Sequence, residues 1–286
     1  MSKKATEFQR KAMGRMYRGK GIFNPLNTGW IDEHVACVRE WIANIYFYRK
    51  GNTTIMIDAG YNYDRLQEKM GWLGIHTEDI RDILITHQDT DHVGAVEADS
   101  PGLFNHATLY IGEVENRYLT GEVRRKVCYH LYKLPMVTIN NRKVLLKDGQ
   151  VFTIGDIKIE CFLVPGHTWG HLVYLIDDHY LFTGDTIWFG KDGGYSFING
   201  LAEDNELGMR SLAALEEKLR QRELRPMFIT GHTGWSNNFD FAFAHKDRFC
   251  SPFNRSLCNP DAPYDGYDES DDTEEKAKTQ RLPGVG

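Results

Sequence analysis

The sequence predicts an α/β protein, and three observations carry that reading. Short apolar runs bounded by Gly, Asn and Asp read as strands. The stretch Asn205 to Arg222 reads as an amphipathic helix with Leu207, Leu212, Leu215 and Leu219 on its core side. His and Asp residues recur at the ends of apolar runs, where α/β scaffolds place their chemistry. These motifs span most of the 286 residues, which favours one large domain over two small ones.

The elements follow in order. Residues 5 to 17 form a short helix with Phe8, Ala12, Met13 and Met16 along one side and a solvated face of Arg10, Lys11 and Arg15. Val35 to Tyr48 and Thr53 to Ile57 are strands joined by a turn at Arg49-Lys50-Gly51-Asn52. Tyr63 to Trp72 is a helix ended by Gly71 or Gly74. Ile83 to Ile85 is strand-like and Val93 to Ala98 helical. Thr108 to Ile111 is a strand, followed by a helix from Glu113. Residues 114 to 140 carry Arg117, Arg124, Arg125, Lys126 and Lys133 with Tyr118, Tyr129 and Tyr132. Two readings stand for them: a basic cover that grips an anionic or polar substrate, or an exposed helix pair. Strands resume at Val144 to Leu146, Gln150 to Ile154, Ile157 to Val164, Leu172 to Ile176 and Tyr180 to Phe182. The expected division is an extension at 1–29, a domain at 30–250, and an acidic, disordered tail at 251–286.

The most informative segment is Thr86-His87-Gln88-Asp89-Thr90-Asp91-His92. Alternate residues of an extended segment point the same way, so His87, Asp89 and Asp91 can share a face, with His92 next to them. Such a cluster repels or is desolvated unless something positive sits within it. One or two metal ions meet that need; an Asp-capped polar turn is the plainer reading. Three further sites follow apolar runs and are flanked by Gly: His167 in Pro165-Gly166-His167-Thr168-Trp169-Gly170-His171, Asp185 in Leu181-Phe182-Thr183-Gly184-Asp185, and His232 in Thr230-Gly231-His232-Thr233-Gly234. Gly lets the backbone turn sharply and approach a ligand closely.

From about residue 30 to 245 the chain resembles the metallo-β-lactamase superfamily. The resemblance lies in these motifs and in Asp58, which ends the run Thr54 to Ile57. It implies a four-layer αβ/βα sandwich with a two-metal site along one edge. It assigns His87, Asp89 and His167 to the first metal, Asp91, His92 and His232 to the second, and Asp185 to a bridge. Asp58 would orient the histidine-bearing loop, and His171 would support the site without being a ligand. Asp89 departs from the pattern, which has histidine there. A carboxylate makes the first position harder and more negative, so iron or manganese joins zinc as a candidate. It also resembles the di-iron branch of the superfamily. Tyr195 and Lys191, in the Gly-rich loop after Asp185, are candidates for touching substrate.

Composition narrows the function. A net charge of -6 gives no general reason to bind nucleic acid or an anionic membrane. No apolar run approaches the ~20 residues needed to cross a bilayer, and no apolar segment follows Lys3 and Lys4 as a secretory signal requires. Cys37, Cys128, Cys161, Cys250 and Cys258 are odd in number and lack C-x-x-C spacing, so free thiols in a reducing cytoplasm are the simplest account. The expected function is a hydrolase in which two divalent cations activate water against an ester, thioester, lactone or similar bond of a small molecule. Asp91 would shuttle the proton. The alternative is a di-iron protein that binds or reduces dioxygen or nitric oxide with a separate electron donor.

Overall fold

In a computed structural model, residues 23–40, 42–61, 65–250 and 271–286 are described. Two sheets form the body. The first has seven strands in the spatial order Gly29–Trp30, Val35–Glu40, Ala43–Lys50, Thr53–Ile57, Asp82–Leu84, Thr108–Gly112 and Lys143–Leu146. The second has six, in the order Val151–Ile154, Ile157–Leu163, Leu172–Ile176, Tyr180–Gly184, Met227–Thr230 and Gly234–Ser236.

Alternation along the strands builds the layers, because successive side chains point to opposite faces. On the first sheet Val35, Cys37, Tyr46, Tyr48, Ile55 and Ile57 face Ile157, Ile159, Cys161, Tyr174, Ile176 and Phe182 of the second. Ala36, Val38, Ile45, Phe47 and Met56 face outward onto Leu66, Met70 and Val93 of helical segments. The second sheet repeats this, its outer Phe162, Val173, Leu175, Leu181 and Phe228 packing on Leu212, Leu215 and Leu219 of the Asn205–Gln221 helix. The result is helix, sheet, sheet, helix: the four-layer αβ/βα arrangement. Asp204 caps that long helix, its side chain accepting from Leu207 N.

Three expectations change. Val35 to Tyr48 is not one strand but an antiparallel hairpin, with Val35 opposite Tyr48 and Glu40 opposite Ala43; Arg39 and Glu40 break the apolar run ahead of the turn, and both are buried, as is Ile42. Residues 271–286 are not the disordered tail expected of 251–286. Glu274–Thr279 is a helix, Arg281 pairs with Trp30, and Leu282 enters the core between the sheets. The acidic composition concealed this because Asp272 is buried against Lys69 (Nζ to Oδ2 2.6 Å) and accepts hydrogen bonds from Thr28 N and Oγ1. Cys250 is disulfide-bonded, which corrects the expectation of five free thiols; Cys37, Cys128 and Cys161 are free. Cys258 and the helix expected at 5–17 lie outside the described residues. Among the described residues no helix is long and apolar enough to cross a membrane.

Candidate metal centre

The candidate site lies where the strands of both sheets end. Asp58 follows Thr53–Ile57, His87 to His92 follow Asp82–Leu84, His167 follows Ile157–Leu163, Asp185 follows Tyr180–Gly184, and His232 follows Met227–Thr230. The structure brings six of the seven expected ligands into two groups, His87 with His167 and Asp185, and Asp91 with His92 and His232. Nε2 of His87 and His167 lie 3.1 Å apart, and those of His92 and His232 3.4 Å apart. Asp185 spans both groups. Its Oδ1 is 3.3 and 3.2 Å from Nε2 of His92 and His232, and its Oδ2 is 3.9 and 3.5 Å from Nε2 of His87 and His167. Asp91 is partly exposed, with Oδ2 3.4 Å from His232 Nε2.

The supporting hydrogen bonds fix which nitrogen faces inward. His92 Nδ1 is 2.8 Å from Asp58 Oδ2, and His232 Nδ1 meets the carbonyl of Ile42. Both partners only accept, so Nδ1–H donates and Nε2 turns toward the centre. His87 is set through a relay. Thr86 Oγ1 donates to Asp58, leaving its lone pairs to accept from His87 Nδ1 at 3.0 Å. Asp58 therefore aligns two imidazoles, and it also accepts from Thr86 N at 2.8 Å. Its backbone sits at φ +59°, a region a non-glycine residue enters only when its surroundings hold it there. His171 stacks on His87 with ring centroids 4.8 Å apart and accepts from Asp185 N through Nε2. It positions both residues without facing the centre.

The cluster calls for positive charge. Burial disfavours an imidazolium, yet Asp185 and Asp58 outweigh it at His92, and Asp185 and Asp91 lift His232 to about 9. His87, buried against His92 and His167, is pushed well below the ordinary histidine range. Asp185 Oδ1 is buried without a hydrogen-bond donor. Convergent imidazole nitrogens with an unsatisfied carboxylate between them are the donor set of a divalent cation such as zinc, so these residues fit the metal that their pattern implies.

Asp89 meets a different partner from the one expected. Arg125 grips it as a fork, with Nε 2.8 Å from Oδ1 and Nη2 2.8 Å from Oδ2. Burial disfavours the charge on Asp89, but Arg125 outweighs that and holds its carboxyl well below the usual range. Asp89 Oδ2 also lies 3.1 Å from His167 Nε2. Arg125 was visible only as one of several cations in residues 114 to 140; nothing local marked it as the buried one. Glu115 was also missed. Its Oε1 accepts from Gln88 N and its Oε2 from Thr168 Oγ1 and Gly170 N, so it clasps the segments that carry His87 and His167. Tyr195 is buried, donates to Asp192 in its own hairpin and packs on His245 of the neighbouring His245–Phe249 strand. Lys191 is exposed. Neither belongs to the convergent groups. Phe197 and Trp188 pack on His167 and His232 as apolar walls.

The fold and these clustered histidines and aspartates place the chain in a known family. Residues 38–242 match the metallo-beta-lactamase superfamily, and the chain belongs to it. Among similar proteins is the probable polyketide biosynthesis zinc-dependent hydrolase BaeB of Bacillus velezensis, 30% identical over 139 residues, 49% of this chain and 52% of that protein. Another is the hydroxyacylglutathione hydrolase of Buchnera aphidicola, 30% identical over 156 residues, 51% of this chain and 47% of its length. The chain spans about half the length of these curated relatives. Among solved structures, a B3 metallo-beta-lactamase described as the first with an active-site glutamic acid superposes with a TM-score of 0.59 at 17% identity, over 82% of this chain and 93% of that one. A beta-lactamase from Chitinophaga pinensis gives 0.54 at 21% identity, over 73% and 79%. At these identities the structures speak for the fold.

Proposed function

We propose that this protein is a metal-dependent hydrolase acting on an ester, thioester, lactone or similar bond of a small molecule. The observation that carries the reading is the convergence of four imidazole Nε2 atoms on Asp185, one carboxylate oxygen to each pair. His87, His167 and Asp185 would hold one divalent cation, and Asp91, His92, His232 and Asp185 a second. Bound there, the cations would lower the pKa of a water molecule and polarise the scissile carbonyl. Asp91, the partly exposed member, would take the proton from that water as it attacks and pass it to the leaving group. Asp58 and Thr86 keep the imidazoles aimed, while Phe197 and Trp188 exclude bulk water from their outer faces. The relatives named as a zinc-dependent hydrolase and a hydroxyacylglutathione hydrolase support zinc and a small-molecule acyl substrate.

The di-iron alternative rests on Asp89 as an anionic ligand. That support weakens because both Asp89 oxygens are taken by Arg125.

Elemental analysis of purified protein, paired with a hydrolysis panel of thioesters, lactones and carboxylic esters, tests the reading. Zinc should be bound, and turnover should vanish with chelator and return with zinc. Asp185→Asn should lower metals per chain while circular dichroism stays native, and Asp178→Asn, in an exposed turn, should leave metal content unchanged. Metal-free protein with no chelator-sensitive turnover rejects the proposal.

A further inference from the structure

We infer that Arg125 is a built-in competitor for the first metal position and makes the two positions unequal. The inference rests on the metal-centre reading above and concerns how this chain departs from a symmetric pair.

Arg125 is buried, 3% exposed. Its Nε and Nη2 are committed to Asp89, Nη2 also donates to the carbonyl of Leu201 at 2.7 Å, and Nη1 donates to the carbonyl of Lys126 at 2.9 Å. Nη2 carries two hydrogens, one for Asp89 and one for Leu201. Its 3.3 Å approach to His167 Nε2 is a third, shared contact that sets a cation beside that nitrogen, which also lies 3.1 Å from Asp89 Oδ2. That nitrogen is one of those that would hold the first metal.

Two consequences follow for a dication at His87 and His167. The anionic charge of Asp89 is neutralised before the metal arrives. A fixed positive charge also sits against one ligand nitrogen in a buried setting, where screening by solvent is weak. The second position has no such neighbour. Asp91, His92 and His232 are faced by Asp185 and Asp58, and each of these contacts favours positive charge. The pair also cannot swing away freely, because Arg125 is anchored on Leu201 and its own backbone carbonyl accepts from Leu134 N. Arg125 thus sets metal stoichiometry at limiting zinc: one ion at Asp91, His92 and His232 first, and a second at His87 and His167 only at higher concentration.

The test is calorimetric titration of zinc chloride into chelator-stripped full-length protein. Wild type should bind in two phases at least ~100-fold apart in Kd, from the charge loss and repulsion together. His232→Ala should remove the tight phase and His167→Ala the weak one. Arg125→Gln frees Asp89 and should tighten the weak phase by ~10-fold or more, whereas Arg125→Lys keeps the charge and should leave it weak. Two equally tight sites in wild type, or a folded Arg125→Gln protein with an unmoved weak phase, overturns the inference and leaves the functional reading standing. The wild-type and histidine-variant titrations keep the inference open to refutation even where Arg125→Gln does not fold, because equal sites, or a tight phase lost with His167→Ala, overturn it. No tight zinc in any form overturns both.

Discussion

The residues that aim the histidines carry as much of the site as the histidines themselves. Asp58 is the hinge of this support, because one carboxylate serves His92 directly and His87 through Thr86. Thr86 is the more informative position to change. Thr86→Val keeps the branched shape but removes the hydroxyl, so His87 loses the acceptor that fixes its tautomer. Zinc affinity should fall ~10–100-fold, the usual cost of losing such a partner, with the fold intact. Competition against a fluorescent chelator reads this, and unchanged affinity would show that His87 needs no relay. Thr86 carries no sequence signal of its own; a Thr before a metal-binding His is as easily a strand residue. Asp58 was legible because it ends an apolar run ahead of the motif.

At the scale of elements, the loops after the strands are bound to each other by one buried side chain. The Glu113–Leu119 helix delivers Glu115 between the loop of His87 and the loop of His167. Gly170 permits this close approach, since a Cβ there would fall 2.1 Å from Glu115 N. Burial outweighs these donors and pushes the Glu115 carboxyl up from 4.5 to about 8. A carboxyl raised by folding binds its proton more tightly in the native state, so its contribution is full below 4.5 and is lost as pH rises through about 8. Glu115→Gln cannot titrate and turns an amide toward a backbone N–H. It should cost about 1–3 kcal/mol at pH 5 and flatten the fall in stability between pH 5 and 8. Urea melts of both proteins across that range check it; parallel pH profiles would remove Glu115 as the titrating group. Sequence reading expected a helix from Glu113 but could not see that one of its acids turns inward, because burial depends on what the helix lies against.

At the scale of the whole molecule, the C-terminal segment fastens the outer layer of the first sheet. Lys69 and Asp272 pair with neither side chain exposed, Lys69 also donates to the carbonyl of Arg39, and Ala277 packs into the outer core. Removing one member of a buried pair leaves the other uncompensated. Lys69→Ala should destabilise by about 3–5 kcal/mol in chemical denaturation, far beyond the ~0–1 kcal/mol of an exposed pair. Lys158→Ala, whose pair with Asp178 is solvent-exposed, is the control. Equal small losses in both would show that the strap contributes little.

Sequence alone determined what is local. Apolar alternation marked most strands and the Asn205–Gln221 helix, and the family resemblance of five short motifs marked Asp58, His87, Asp89, Asp91, His92, His167, Asp185 and His232, six of which the fold gathers into two groups at strand ends. Tertiary structure decided what depends on neighbours distant in the chain. Arg125 reaches Asp89 across 36 positions, and Asp272 reaches Thr28 across 244. A charged residue reads as solvated until the fold removes water from it and supplies a counter-charge. That desolvation is a property of the packed molecule and leaves no local trace in the chain.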